Sequence, residues 1–305
     1  MKTFVAIATH DRSELLERTL SSLAQCRIPD GFCGTLVVEN GSRAGAEAIV
    51  SRAPAAIRPR YLFEPVGNKS RALNLVLQEA DGLVIFLDDD VRVGPELLDA
   101  YVRAAHAAGP GHFFGGPVAP DYEQAPPQWL VKFLPLSARG WTLDDPASLA
   151  SKPFFLGFNW AAYVDDLTRV GGFNDQFGPG AVTGSVGQEG EMQRRLVAGG
   201  VTARFVAEAL VHHWVPRDRC SADWALDRAY RDGIRMGLQR ADGSQAAKWR
   251  ATLALVKQAG TSWLGAQLKR LNADPAAHFA AQFRYRRRLG TLRGVMLKSG
   301  KPAQP

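Results

Sequence analysis

Short apolar runs alternate with amphipathic stretches through the first two thirds of the chain, and the rhythm changes only near residue 220. Phe4-Val5-Ala6-Ile7-Ala8 predicts a first strand. Leucines at 15, 16, 20 and 23 then recur at helical spacing from Ser13 to Ala24, with Ser13 placed to cap that helix. Thr35-Leu36-Val37-Val38 predicts a second strand, Ala44 to Arg52 a helix, Arg60-Tyr61-Leu62-Phe63 a third strand, Ser70 to Ala80 a helix, and Leu83 to Leu87 a fourth strand. Strands alternating with helices at this interval predict a mostly parallel sheet with right-handed crossovers, an α/β architecture. Glycines and prolines from Gly109 to Pro127 predict loop, with an edge strand at Phe113-Phe114. Helices near Leu167 and from Glu189 to Ala198 follow, then strands near Ala203 to Val206 and Leu210 to His213. From Ser221 the periodicity is helical throughout, ending in a Lys, Gly and Pro tail expected to be disordered. The pattern divides the chain into residues 1–220 and a helical extension, residues 221–305.

Composition narrows the class. With 305 residues, 46% hydrophobic and 22% charged, the chain has the make-up of a globular protein with an ample core. No apolar stretch reaches the ~18–20 residues of a membrane helix. Met1-Lys2-Thr3 runs straight into the first strand without an apolar signal core, so a cytoplasmic location is expected. Cys26, Cys33 and Cys220 form no pair and no metal spacing, which suits reduced thiols. Charge is unevenly divided. Residues 1–200 carry 18 Lys and Arg against 23 Asp and Glu, a net −5, while residues 201–305 carry 19 against 7, a net +12. The acidic part holds the candidate chemistry, and the basic part points at an anionic partner. Its densest cluster, Arg284, Arg286, Arg287 and Arg288 among Phe283, Tyr285 and Leu289, reads first as a solvated helical face. Its second reading is a peripheral contact for anionic membrane, at the inner membrane face, or for an acidic glycan. No nucleic-acid motif accompanies it, and no nucleic acid partner is expected.

The most informative residues are Asp88, Asp89 and Asp90, which close the apolar fourth strand. Strands of this kind emerge at the carboxyl edge of the sheet, where open α/β sheets bind ligands. Three like charges in one turn repel unless a cation neutralises them, and hard oxygen donors select Mg²⁺ or Mn²⁺ rather than zinc. The alternative, an acidic helix cap, needs one acid and not three, and Gly94-Pro95-Glu96 already supplies a helix start.

In their order and spacing, Val5–Arg12, Val37–Ser42, Gly67–Asn74, Asp88–Asp90, Gly157–Ala162, Val170–Asn174, Gly187–Leu196 and Val211–Pro216 together resemble the family 2 glycosyltransferases, over residues 1–220. Val5-Ala6-Ile7-Ala8-Thr9-His10-Asp11-Arg12 is similar to the family's opening strand and nucleotide loop. Val37-Val38-Glu39-Asn40-Gly41-Ser42 resembles the second strand end, with Glu39 in place of the usual aspartate. Gly67-Asn68-Lys69-Ser70-Arg71-Ala72-Leu73-Asn74 resembles the segment preceding the aspartates, and Asp88-Asp89-Asp90 resembles the DXD motif. Gly157-Phe158-Asn159-Trp160 and Val170-Gly171-Gly172-Phe173-Asn174 resemble stretches that shape the acceptor side. Gly187-Gln188-Glu189-Gly190-Glu191 is similar to the segment carrying the catalytic base, with Gln-Glu in place of Glu-Asp, so that Glu189 falls on the base position. His212-His213-Trp214-Val215-Pro216 resembles the stretch after the last strand, where His213 falls on a histidine that contacts the metal in some relatives.

The resemblance implies a GT-A (Rossmann-like) fold and an inverting, metal-dependent transfer from a nucleotide-diphosphate sugar to a glycan or lipid-linked acceptor. It places Thr9, Asp11, Arg12, Glu39, Asn40, Lys69, Arg71, Asn74, Asp88 and Asp89 around the donor, and Gly157, Asn159 and Trp160 on the acceptor side. It implies Asp90 as the direct metal ligand, with His213 as a second, for Mn²⁺ or Mg²⁺. A cation bridging diphosphate oxygens stabilises the leaving group without proton transfer, which suits the triplet to holding an ion. An ionised carboxylate at Glu189 is suited to taking the acceptor's proton, and one base with direct displacement implies inversion. Glu191, about 200° further round a helix, cannot share that face. Some positions keep two readings: His213 as ligand or packing, Trp160 as core or stacking platform, Glu189 as base or helix-start acid, and Lys69 and Arg71 as phosphate contacts or exposed charges. The rival functions are a nucleotidyltransferase and a catalytically degenerate binding protein.

Overall fold

A computed structural model describes residues 1–150, 153–240, 245–270 and 275–299. The first strands and helices follow the predicted alternation: β1 (Thr3–Thr9), α1 (Ser13–Leu23), β2 (Phe32–Asn40), α2 (Ala46–Arg52), β3 (Pro59–Glu64), α3 (Lys69–Glu79) and β4 (Leu83–Asp88). Next come β5 (Val91–Val93), α4 (Leu97–Ala108), β6 (His112–Gly115), β7 (Val118–Tyr122), and the short helices α5 (Gln128–Val131) and α6 (Leu136–Arg139). After these follow β8 (Asn159–Tyr163), α7 (Val164–Arg169), α8 (Gln188–Ala198), β9 (Thr202–Phe205) and β10 (Val211–Val215). Three long helices, α9 (Ala222–Arg240), α10 (Gln245–Arg270) and α11 (Pro275–Ser299), complete the described chain. The predicted tail at residues 300–305 lies outside the described residues.

The chain forms two compact units. The first comprises residues 1–121, 140–180 and 188–214. Its seven-stranded sheet has the order β3-β2-β1-β4-β8-β6-β9, with β3, β2, β1 and β4 mutually parallel and β8 antiparallel to both its neighbours. The seven residues of β1 are all buried, as a parallel strand covered on both faces requires. Strand order reverses about β1, which lies between β2 and β4, and this switch point opens a crevice at the carboxyl ends of β1 and β4. Ala8 pairs with Asp88 there, so the loop after β1 and the acidic turn after β4 leave the sheet side by side. A three-stranded sheet, β5-β10-β7, flanks the turn.

Three expectations change. Ser13 does not cap α1; it is the first helical residue, and its hydroxyl donates to the Ala44 carbonyl at 2.8 Å. The strand at Phe113-Phe114 is interior, because β6 lies between β8 and β9, and β9 forms the edge. Trp160, expected on the acceptor side, is fully buried in β8, stacked 4.6 Å from Phe86 and edge-on to Phe113 and Phe173. Its indole is core, because the strand that carries it pairs with β4 and β6 in the middle of the sheet.

The second unit comprises residues 122–139, 181–187 and the chain from 215 onward. One apolar cluster joins Leu130, Leu134, Val215, Ala225 and Phe279. A second seam is built of glycine. Gly233 and Gly237 on α9 face Gly290 and Gly294 on α11, each four residues from its partner, and a Cβ at Gly237 would sit 2.2 Å from the Thr291 carbonyl oxygen. The backbones touch, and no side chain fits between them. Gly237→Ala is expected to lower the stability of this unit by about 1–3 kcal/mol, the usual cost of overpacking. A thermal melt measures this, and an unchanged midpoint would show that the helices can separate without penalty. Most of the arginine cluster is used inside this unit. Arg286 lies over the Tyr230 ring, Arg287 pairs with Asp232 at 3.2 Å, and Arg288 donates to the Gln258 carbonyl at 2.7 Å and to Ser262 Oγ.

Cys26, Cys33 and Cys220 are free thiols. Burial pushes the Cys26 thiol up to about 11, which keeps it protonated and inert. Among the described residues, no helix is long and apolar enough to cross a membrane.

Candidate active site

The acidic turn is the centre of a charged cluster at the switch point. Asp89 and Asp90 are almost fully buried, and Asp88, at the tip of β4, is partly exposed. Thr19 on α1 fixes the turn: its hydroxyl donates to the carbonyls of Asp89 and Val91 and accepts from the Val91 amide. Thr9, the last residue of β1, donates from its hydroxyl to Asp89 Oδ2 at 2.7 Å. Arg12 reaches across from the head of α1, placing Nη1 2.9 Å from Asp90 Oδ2 and 3.2 Å from Asp89 Oδ1. Burial and then the adjoining Asp90 push the Asp89 carboxyl up to about 6, despite Arg12 and the Thr9 hydrogen bond. The cluster thus holds more negative charge than one guanidinium neutralises.

His213 enters from the second sheet. It pairs in register with Val91, which sets its ring beside the turn, with Nε2 3.4 Å from Asp90 Oδ1. Phe158 stacks on the imidazole at 4.4 Å and 19°, and the Trp214 amide donates to the Asp90 carbonyl at 2.8 Å. The ring is therefore both packed and aimed at a carboxylate. Among the described residues, no group of three His, Cys, Asp or Glu is arranged to hold a metal ion. The side chains nearest Asp90, carboxylates and one imidazole, are of the chemical types that Mn²⁺ accepts as ligands.

Opposite, Lys69 opens α3 and pairs with Asp88. Burial opposes its charge, but Asp88, and then Glu189 and Asp90, outweigh it and hold the proton more tightly than in water. Glu189, in the first turn of α8, lies against Gly157; a Cβ there would stand 3.0 Å from the Glu189 Cδ and Cγ. The absent side chain leaves room for the carboxylate. Glu191 points elsewhere and binds Arg195, with 2.8 Å separations to Nε and Nη2.

Residues 4–169 match the sequence profile of "Glycosyl transferase family 2", more than half of the chain. The chain belongs to this family. This glycosyltransferase is 29% identical to the succinoglycan biosynthesis protein ExoM of Rhizobium meliloti, over 83% of this chain and 80% of that one. It is 31% identical to the validoxylamine A glucosyltransferase of Streptomyces hygroscopicus subsp. limoneus over 65% of its length, and spans about half of that relative, 48%. Its fold matches that of a mannosyltransferase from Pyrobaculum calidifontis, solved with GDP-Man and Mn²⁺, at a TM-score of 0.62 and 18% identity, covering 98% of this chain and 88% of that one. It also matches residues 1–349 of S. aureus TarS, solved with UDP-GlcNAc, at a TM-score of 0.55 and 13% identity, covering 100% and 93%. The GT-A fold and transfer of a sugar follow, which sets nucleotidyl transfer aside.

Not every expected residue of the glycosyltransferase faces the crevice. The Glu39 carboxylate is buried and accepts from the Ala44 and Ala46 amides and the Tyr61 hydroxyl, so it shapes the loop after β2 instead of presenting a free nucleoside contact. Asn40 donates to the Thr9 carbonyl. Asn74 closes a pair of hydrogen bonds with the backbone of Phe173, and Asn159 accepts from Tyr101 while donating to the Pro117 and Ala209 carbonyls. The side chains of Asn74 and Asn159 are committed to the scaffold, which corrects their expected place around donor and acceptor. Asp11, at φ 52°, accepts from Ser42 and stays exposed, and Arg71 pairs with Glu64 at 3.2 Å. Thr9, Arg12, Lys69, Asp88, Asp89, Asp90 and His213 are brought together, with Glu189 nearby. Sequence reasoning missed Phe158 and Thr19. Phe158 sits between two residues of a recognised motif; for Thr19, on a helix face, no sequence signal existed.

Proposed function

We propose that the protein is an inverting glycosyltransferase that uses a divalent cation to take a sugar from a nucleotide-diphosphate donor and place it on a glycan or lipid-linked acceptor. The observation that carries this reading is the acidic turn at the switch point, with a histidine on one side and a lysine and a lone carboxylate on the other. Asp90 and His213 would hold Mn²⁺ or Mg²⁺, which when bound would neutralise the leaving diphosphate. Lys69, released from Asp88, is placed to meet a phosphate, and Asp88 to meet the ribose or ion-bound water. Glu189 takes the acceptor hydroxyl's proton as it attacks. One base and one displacement invert the anomeric carbon. The likeness to ExoM supports a polysaccharide as the product class. Cytoplasmic residence, with the basic extension from residue 221 in peripheral contact with anionic membrane, completes the reading.

Arg12 neutralises part of the triplet where an ion would do so more fully. Arg12→Ala is therefore expected to lower the thermal midpoint without metal and to enlarge the rise that Mn²⁺ produces, since the ion then replaces a lost counter-charge. An equal Mn²⁺ response in both proteins would separate Arg12 from the ion site. The function itself is tested by incubating the protein with a panel of nucleotide sugars and Mn²⁺. Slow release of a nucleoside diphosphate from one donor, accelerated by an acceptor glycan, is expected. Release from none of the donors would leave only the degenerate reading.

A further inference from the structure

α10 presents apolar side chains to solvent. Leu253, Val256, Trp263 and Leu264 are 64%, 50%, 47% and 55% exposed, large values for such residues. At 100° per residue the four fall within an arc of about 100°, with Gly260 at its centre and Lys257 at its margin. Ala259 and Ser262 occupy the buried face instead, where Arg288 of α11 binds Ser262 and the Gln258 carbonyl. The apolar arc thus points away from the packing that holds the helix. A soluble protein rarely leaves such a stripe uncovered.

Charge identifies the cover. α10 carries Lys248, Arg250, Lys257, Lys269 and Arg270, and α11 carries Arg284, Arg286, Arg287, Arg288, Arg293 and Lys298; neither helix contains an Asp or Glu. An acidic protein surface would satisfy the charge but not the stripe, and a second copy of the same helix would satisfy the stripe while bringing like charges together. An anionic bilayer satisfies both, with aliphatic side chains below the headgroups, a tryptophan at their level and cations among the phosphates.

We propose that α10 lies in the interface of an anionic bilayer, with Leu253, Val256, Trp263 and Leu264 inserted, the exposed Lys257 beside them at the headgroups, and the net positive charge of α10 and α11 drawing the unit to the anionic surface. This deepens the membrane contact proposed above and moves it from the arginine cluster of α11, three of whose members hold the helices together, to the neighbouring helix. Docking here would keep the enzyme beside a lipid-linked acceptor.

The test uses the full chain and vesicles of phosphatidylcholine, with or without 30% phosphatidylglycerol. The wild type is expected to co-sediment with the anionic vesicles and at least tenfold less with the neutral ones. Brominated phosphatidylglycerol should quench its fluorescence. Trp263→Glu with Leu264→Glu should reduce anionic binding at least tenfold. Trp263→Phe, a conservative change that guards against misfolding, should bind but lose part of the quenching, since six other tryptophans remain. Three results would overturn the proposal: equal binding to both vesicles, unchanged quenching in Trp263→Phe, or lipid-free dimers that the double substitution turns into monomers. Release of nucleoside diphosphate is followed in the same samples without lipid, so failure to dock and failure to transfer sugar are seen separately.

Discussion

Glu189→Gln is expected to remove sugar transfer, by about a thousandfold, while leaving nucleotide binding as in the wild type. The substitution keeps the shape and hydrogen-bonding reach of the side chain and removes only the capacity to take a proton, which contributes about 10²–10⁴ to such reactions. The site makes the comparison clean. Glu189 borders Gly157, where there is no Cβ to clash with the amide, and its ionic influence falls on Lys69, which Asp88 holds independently. Glu191→Gln serves as the control, because that carboxylate is tied to Arg195, which in turn binds the carbonyls of Val170 and Gly172. Its loss should cost stability and spare the chemistry. Transfer by Glu189→Gln at the wild-type rate would assign the base to another residue.

Asp90→Asn should have the other large effect, a fall in turnover of about 10²–10³ or more, accompanied by loss of ion-assisted nucleotide binding. Asp90 is the residue on which the cluster converges: Arg12 approaches one oxygen, His213 the other, and Trp214 holds its carbonyl. An amide fills the same space without the charge. The expected pattern is therefore a folded protein whose thermal midpoint no longer responds to Mn²⁺ with nucleoside diphosphate. Full turnover in Asp90→Asn would move the ion, or the need for one, elsewhere.

Residues that act through the backbone pattern were legible in the sequence. The unbroken apolar run before the aspartates announced a buried strand of a parallel sheet, but that its carboxyl end lies beside that of β1, with Ala8 opposite Asp88, is a property of the fold. The family resemblance, not strand alternation, singled out His213 over His212, and in the fold His213 is buried beside Asp90 while His212 is half-buried. What sequence could not supply was long-range pairing. β8 is five residues long and reversed, and nothing local tells that it enters the sheet between β4 and β6 and drags Trp160 into the core. The same holds for Asn74, whose side chain is taken by the backbone of Phe173, 99 residues further on. In the extension, the spacing of Gly233 and Gly237 and of Gly290 and Gly294 is plain to see, but that the two pairs meet is a property of the fold. So is the occupation of Arg286, Arg287 and Arg288 between helices, which a charge count mistakes for a free surface.

Calorimetry tests whether the acidic turn binds a nucleotide through a divalent ion. Nucleoside diphosphates are titrated into the wild-type protein with Mn²⁺ and, separately, with a chelator. Saturable binding of at least one nucleotide that weakens tenfold or more when the ion is removed is the predicted result. Binding of equal strength in the chelator, or none under either condition, would contradict it.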